Sequence, residues 1–229
     1  MHPNRQVNVN TESVDNYLKA ILALSGPEEH SVSSTALAQH LGVAPASITN
    51  MLQKLASAQP SYVEYEKRRG VRLSPQGKRR ALEVLRHHRL IETFLYNVLD
   101  YPIEEVHEEA ERLEHFISER FEERISAKLG HPRFDPHGHC IPTIDGRMPK
   151  QASKPLTSLE QDGSFVVDSV ADQDAILLKR LKAHGITPGT RIKVTKRSPL
   201  EFSLLAGSPL RVLRLSRTLA EAVRVRSAE

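Results

Sequence analysis

Four potential metal ligands share one flank of one expected helix in the stretch Val106-His-Glu-Glu-Ala-Glu-Arg-Leu-Glu-His115. Read as one helix at roughly 100° per residue, Val106, Ala110, Leu113 and Ile117 form an apolar stripe, with His107, Glu111, Glu114 and His115 together on its shoulder. Imidazoles and carboxylates turned half toward a core are costly to desolvate unless a charge meets them, and a divalent cation is the simplest such charge. Upstream, Arg86-His-His-Arg-Leu-Ile-Glu92 sets His88 and Glu92 at i,i+4 on another expected helix, so each pair can grip an ion from one side. A solvated mixed-charge face is the alternative for either helix alone. Two His/Glu pairs together favour the ion.

The elements that must position these residues follow from period and punctuation. A first helix buries Val14, Leu18, Ile21 and Leu22 and stops near Gly26-Pro27. A short helix from Thr35 to Leu41, a turn at Gly42 and a second helix from Pro45 then make a helix-turn-helix pattern, packed through Ala38, Leu41, Val43, Ile48, Leu52 and Leu55. Tyr62 to Leu73 reads as two strands joined by a Lys67-Arg68-Arg69-Gly70 turn, which is a basic wing. In such folds the second helix enters the major groove and the wing lies along phosphates. Pro45, Ala46, Ser47, Thr49 and Asn50 are therefore the candidate groove residues, while Lys54, Arg68, Arg69 and Arg72 supply sequence-independent attraction.

A long helix from Gln76 to about Leu99 follows, and the ligand-bearing helix is expected to run unbroken from Ile103 to Leu129, with Phe121 and Ile125 extending its buried stripe. An apolar edge at Phe116 is a candidate contact with a second copy, since helix-turn-helix proteins pair on two half-sites. The loop His131-Pro-Arg-Phe-Asp-Pro-His-Gly-His-Cys-Ile-Pro142 is rich in His, but its spacing matches no common zinc pattern, and an ordered loop is the expectation. Asp145 to Pro155 reads as a linker. Beyond it, strands near 165–170, 191–195, 202–205 and 212–215 with a helix at 175–184 make a small, mostly β module, large enough to hold its own core.

Composition narrows the class further. The 229 residues carry a formal charge of +4, which suits a polyanionic partner. One cysteine, Cys140, forms no internal disulfide, and no apolar run approaches a signal or membrane segment, so a cytoplasmic protein without membrane contact is expected. Met1 to Asn10 read as a loose tail.

Taken in order, the winged helix, the His88-Arg-Leu-Ile-Glu92 and Val106 to His115 segments, the Pro136-His-Gly-His-Cys-Ile-Pro142 loop and the terminal β module resemble the metal-dependent repressors of the diphtheria toxin repressor and manganese transport regulator family. The resemblance implies a mainly α chain with three parts: a winged helix-turn-helix DNA-binding domain (1–75), a helical dimerisation and metal-binding domain (76–148), and a linker with an SH3-like β-barrel domain (149–229). It also implies a homodimer that takes Mn(II), or alternatively Fe(II), and then grips a double-stranded DNA operator. Carried over by position, one ion site comprises His88, Glu92 and His107, and the other Glu111, Glu114 and His115 with Asn16 from the first helix, Asp15 being its rival. The iron-type branch has Cys where Glu111 stands, and carboxylate with imidazole suits the harder Mn(II). Lys19 replaces an acidic residue of the manganese branch, so Asp172, with Asp168 or Asp174 nearby, is a candidate donor from the SH3-like domain.

Two other functions compete. A di-metal carboxylate enzyme wants a Glu-x-x-His motif on two helices, and only Glu104-Glu-Val-His107 fits. A metal-independent architectural DNA binder would use the same wing with merely structural acids and histidines. The expectation is a metal-dependent repressor controlling metal-ion homeostasis genes, not an enzyme.

Overall fold

The structure is a computed structural model that describes residues 11–26, 28–207 and 210–228. The expected tail, Met1 to Asn10, and parts of the expected turns at Pro27 and at Ser208-Pro209 lie outside the described residues. The chain divides into two compact units, residues 1–87 with 142–147, and residues 88–141 with 148–229.

The first unit holds α1 (Thr11–Ser25), α2 (Ser34–Leu41), α3 (Pro45–Ser57), β1 (Val63–Glu66) and β2 (Gly70–Leu73). Ser33 caps α2 by accepting the Ala36 N–H at 3.1 Å, and Pro45 opens α3. Leu18, Ile21, Leu37, Ile48, Leu52 and Leu55 fill the core between the helices, each fully buried. β1 and β2 pair antiparallel, with Glu64 opposite Arg72 and Glu66 opposite Gly70. Val32, outside the named strands, makes an isolated antiparallel bridge to Val71 of the wing. At Gly70, φ is 91° and a Cβ would stand 2.5 Å from the Val32 carbonyl, so the close approach of that segment requires glycine. The helix-turn-helix and wing thus stand as read.

α4 (Pro75–Leu99) begins in this unit and ends in the second. The second unit adds α5 (Val106–Leu113) and α6 (Glu119–Lys128), where one long helix was expected. Ser118 causes the break: its backbone is extended and its hydroxyl accepts the Phe121 N–H, which starts a new helix. The buried stripe breaks with it. Val106, Ala110 and Ile125 are buried, but Leu113 and Phe121 stand exposed.

The β module contains β3 (Lys154–Pro155), a 3-10 turn (Leu156–Ser158), β4 (Gly163–Val170), α7 (Ala175–Ala183), β5 (Arg191–Arg197), β6 (Glu201–Ala206), β7 (Arg211–Ser216), α8 (Arg217–Glu221) and β8 (Val223–Ser227). The strands form one antiparallel sheet in the order β3-β8-β4-β5-β6-β7 around a core of Leu156, Val167, Leu181, Val194, Leu204, Leu215, Val223 and Val225. β8, missed in the sequence reading, is an interior strand. Its Val223-Arg-Val-Arg-Ser227 alternation carried the signal, with the valines buried and the arginines exposed.

Candidate metal centre

Glu92 lies fully buried in the second half of α4, and three imidazoles converge on its Oε1: His88 Nε2 at 3.0 Å, His107 Nδ1 at 3.3 Å and His137 Nδ1 at 3.7 Å. α4 presents His88 one turn before Glu92, the first turn of α5 presents His107, and the loop after α6 presents His137. Asp172, four residues after the Asp168 of β4, closes the group, since Glu92, His137 and Asp172 each offer an atom within 4.8 Å of the others.

Neighbouring acceptors orient the rings. The Nδ1–H of His88 donates to Glu114 Oε2 at 2.6 Å, which turns the Nε2 of His88 toward Glu92. The Nε2–H of His137 donates to the Ile103 carbonyl at 3.1 Å, so its Nδ1 faces the carboxylate. An imidazole whose far N–H is held by a carboxylate or carbonyl is oriented as a metal ligand. Glu92 Oε2 and His137 Nδ1 are buried without a hydrogen-bond partner among the described residues. Buried polar atoms of that kind call for a missing partner, and a nitrogen and oxygen set without sulfur suits a cation such as Mn(II) or Fe(II).

Charge is already arranged for a cation. Burial alone would raise the Glu92 carboxyl, but the charge of His88 and the His107, His137 and His88 ring nitrogens hold it well below the usual carboxylate range. Burial would lower His137, and Glu92 outweighs that and raises it. Burial would also lower His139, yet Asp135 and Asp172 push it up to about 10. Asp172 is driven below its ordinary value, because His139 at 3.3 Å overcomes the effect of burial.

A second group surrounds the other side of His88, where its Nδ1 meets Glu114 and lies 3.7 Å from Glu111 Oε1. His115 Nε2 is 3.4 Å from Glu114 Oε1. His88 thus stands between the two expected sets, its Nε2 toward Glu92 and its Nδ1 toward Glu111 and Glu114. The shared helix flank is corrected, because α5 ends at Leu113, Glu114 is its C-cap and His115 lies beyond it.

The remaining expected ligands divide. Asp15 is gripped by Arg80 through two hydrogen bonds of 2.8 and 2.7 Å, which makes it a structural ion pair. Asn16, also in the first unit, has a buried Oδ1 with no hydrogen-bond partner among the described residues. Asp174 caps α7 by accepting the Ile176 and Leu177 N–H groups, and Asp168 lies 3.4 Å from Arg226, so neither joins the cluster. The His-rich loop needs the opposite correction. His137 reaches Glu92, although its spacing in sequence gave no metal pattern, because the partners it meets lie far away in the chain. Cys140 is buried and bridges to Phe134.

On the first unit, Pro45, Ala46, Ser47, Asn50 and Lys54 are exposed along α3 and Thr49 is half-buried. Arg68, Arg69 and Arg72 are exposed on the wing, with Arg69 3.3 Å from Glu66.

The chain matches the family model of the iron-dependent repressor N-terminal DNA-binding domain over residues 10–71. The iron-dependent repressor metal-binding and dimerisation domain matches residues 74–143, and the FeoA domain residues 154–227. It is 36% identical over 138 residues to the iron-dependent repressor IdeR of Mycobacterium leprae, covering 55% of this chain and 60% of that protein. It is 33% identical over 115 residues to the HTH-type transcriptional regulator MntR of Bacillus pumilus, covering 50% of this chain and 77% of that one. The match thus spans about three fifths of the IdeR relative's length. Among solved structures, a manganese-dependent transcriptional repressor in complex with manganese superposes with a TM-score of 0.86 at 34% identity, over 94% of this chain and 100% of that one. ScaR with bound Zn2+ superposes at 0.78 with 29% identity, over 94% and 99%.

Proposed function

Because the chain belongs to the iron-dependent repressor family, we propose that it is a DNA-binding transcriptional repressor of metal-homeostasis genes, activated by Mn(II) with Fe(II) as the alternative. The observation that carries this reading is the convergence of three imidazoles, His88 and His137 buried and His107 half-buried, on the buried Glu92, within the residues matched by the metal-binding domain. Glu92, His88, His107, His137 and Asp172 would hold one ion, and Glu111, Glu114 and His115 a second. The bound ion supplies the positive charge that these carboxylates lack. Glu114 and the Ile103 carbonyl hold His88 and His137 in the ligating tautomer, and Asp135 and Asp172 share the charge of His139.

Exposed Tyr96, Leu99, Leu113, Phe116 and Phe121 fall within the segment that matches the dimerisation domain and support a homodimer. α3 and the wing would engage operator DNA, with two copies reading two half-sites. No helix among the described residues is long and apolar enough to cross a membrane, which fits a cytoplasmic regulator. The di-metal carboxylate enzyme reading loses support because Glu104, the acid of the lone Glu-x-x-His motif, lies 3.4 Å from Lys182. Calorimetry with Mn(II), Fe(II), Co(II) and Zn(II) tests the reading directly; failure to bind any of them would remove it.

Glu111→Ala or His115→Ala should abolish ion-activated DNA binding with the fold retained. Glu111→Cys should shift the response toward Fe(II) or softer ions, because a thiolate prefers them. Gel shifts across the metals decide this, and an unchanged ranking would show that position 111 does not set selectivity.

Ion uptake near neutral pH should release protons. With its pKa raised by Glu92, the ion-free His137 keeps its proton at pH values where an ordinary histidine loses it, and Nδ1 must shed that proton to ligate. Affinity therefore climbs with pH. Titration in two buffers of different ionisation enthalpy measures the release; identical heats would mean that no proton leaves.

The wing should set the salt dependence of DNA binding. Replacing Arg68 or Arg72 by Gln should reduce the slope of log K against log salt by about one for each phosphate no longer neutralised. A slope unchanged in both variants would place the wing off the DNA backbone.

A further inference from the structure

The loop that carries His137 is fastened to the FeoA-like domain by groups outside the ligand set. The His137 carbonyl accepts the Val170 N–H at 2.9 Å, and the Gly138 carbonyl accepts the side-chain amide of Gln151, in the linker that leads into that domain, at 2.8 Å. Gly138 is buried with φ at 87°, and a Cβ there would stand 2.1 Å from the Asp168 carbonyl and 3.0 Å from the Ser169 Cα. Only glycine lets the loop lie directly on β4 in this way. From the other side, Asp135 Oδ1 accepts the N–H groups of both His137 and His139, each at 2.9 Å, which holds the loop in one shape.

β4 leads within two residues of its end to Asp172. The surface that seats Gly138 therefore also sets where Asp172 stands relative to Glu92. We propose that Gly138 is a positioning residue whose contact with β4 docks the FeoA-like domain in its ion-binding place before any ion arrives. This rests on the ion-site reading given above. The backbone and amide contacts are neutral, and neither they nor the His139–Asp172 pair across the same junction needs a cation. An ion meeting a docked domain does not have to bear the entropy of ordering it.

Full-length protein tests this with two measurements. In the ion-free wild type, hydrogen exchange should find the Val170 amide protected, and Gly138→Ala should lose that protection. Mn(II) calorimetry should then show affinity at the Glu92–His137–Asp172 group weakened about 10- to 100-fold, the range seen when groups that orient ligands are removed. Gln151→Ala removes one hydrogen bond without backbone strain and should shift both readouts in the same direction by less, which keeps the proposal testable if Gly138→Ala folds poorly. A Val170 amide protected in the wild type only after Mn(II) is added would mean that the ion does the docking, and would overturn the proposal. So would normal Mn(II) binding by both variants. A wild type that takes up no Mn(II) overturns the ion-site reading as well.

Discussion

Affinity for operator DNA should fall by about 5- to 150-fold when a chelator strips the full-length protein of Mn(II), the span of typical coupling between two sites. α4 starts at Pro75, two residues after the wing strand, and runs unbroken to Leu99 with His88 and Glu92 in its second half. An ion that ties these two side chains to His107 and His137 restrains the helix that leaves the wing. Without the ion the same groups still cohere through charge, so the fold survives while the restraint loosens. Gel-shift titrations at one fixed salt concentration measure this, because phosphate contacts by Lys54, Arg68, Arg69 and Arg72 would make the affinity steeply salt-dependent. Equal affinity with and without chelator would leave a constitutive architectural binder whose histidines and acids are structural.

Glu92→Gln should be the most damaging single substitution in the centre. Glutamine preserves the shape but removes the buried negative charge on which His88, His107 and His137 converge. Removing one partner of a buried charge group costs about 3–5 kcal/mol, because the remaining charges stay desolvated and unpaired. The imidazoles can shed protons in response, which places the expected loss at the lower end, about 3 kcal/mol of unfolding free energy. The sign with pH follows from Glu92, whose carboxyl sits well below its ordinary value. Its contribution is fully present above about pH 4.3, the ordinary glutamate value, and is lost as pH falls through the depressed folded value. The wild-type advantage over Glu92→Gln should therefore persist through neutral pH and shrink on both sides, in acid as Glu92 takes up a proton and in base as His137 loses the one that Glu92 holds. Denaturant unfolding of both ion-free proteins measures it, and Mn(II) calorimetry should show the Glu92-centred ion lost. A variant as stable as wild type that still binds as many ions would show that Glu92 is not the hub.

Much of this was legible before any coordinates. Helix period and punctuation placed α1 to α4, because apolar spacing at 3.6 residues, Pro45 at a helix start and the Gly42 turn are local signals. His88 and Glu92 were legible for the same reason, since i,i+4 proximity is a property of the helix itself. The break at Ser118 was missed, although the serine that caps α6 was present, because apolar positions on both sides kept the helical period and hid the stop. β8 was missed because it is short and follows α8 directly.

What the sequence determined by itself is the set of local geometries: which residues share a helix face, where the wing turns, and which residue types could serve an ion. Tertiary structure alone decided which of those residues meet. His137 and Asp172 come from a loop and a strand end 45 and 80 residues beyond Glu92, and no periodicity links them. Asp15, Asp168 and Asp174 look equally eligible in sequence, yet Arg80, Arg226 and the first turn of α7 claim them. A carboxylate's role is set by the charge or N–H that reaches it first, and across long separations only packing determines which one does.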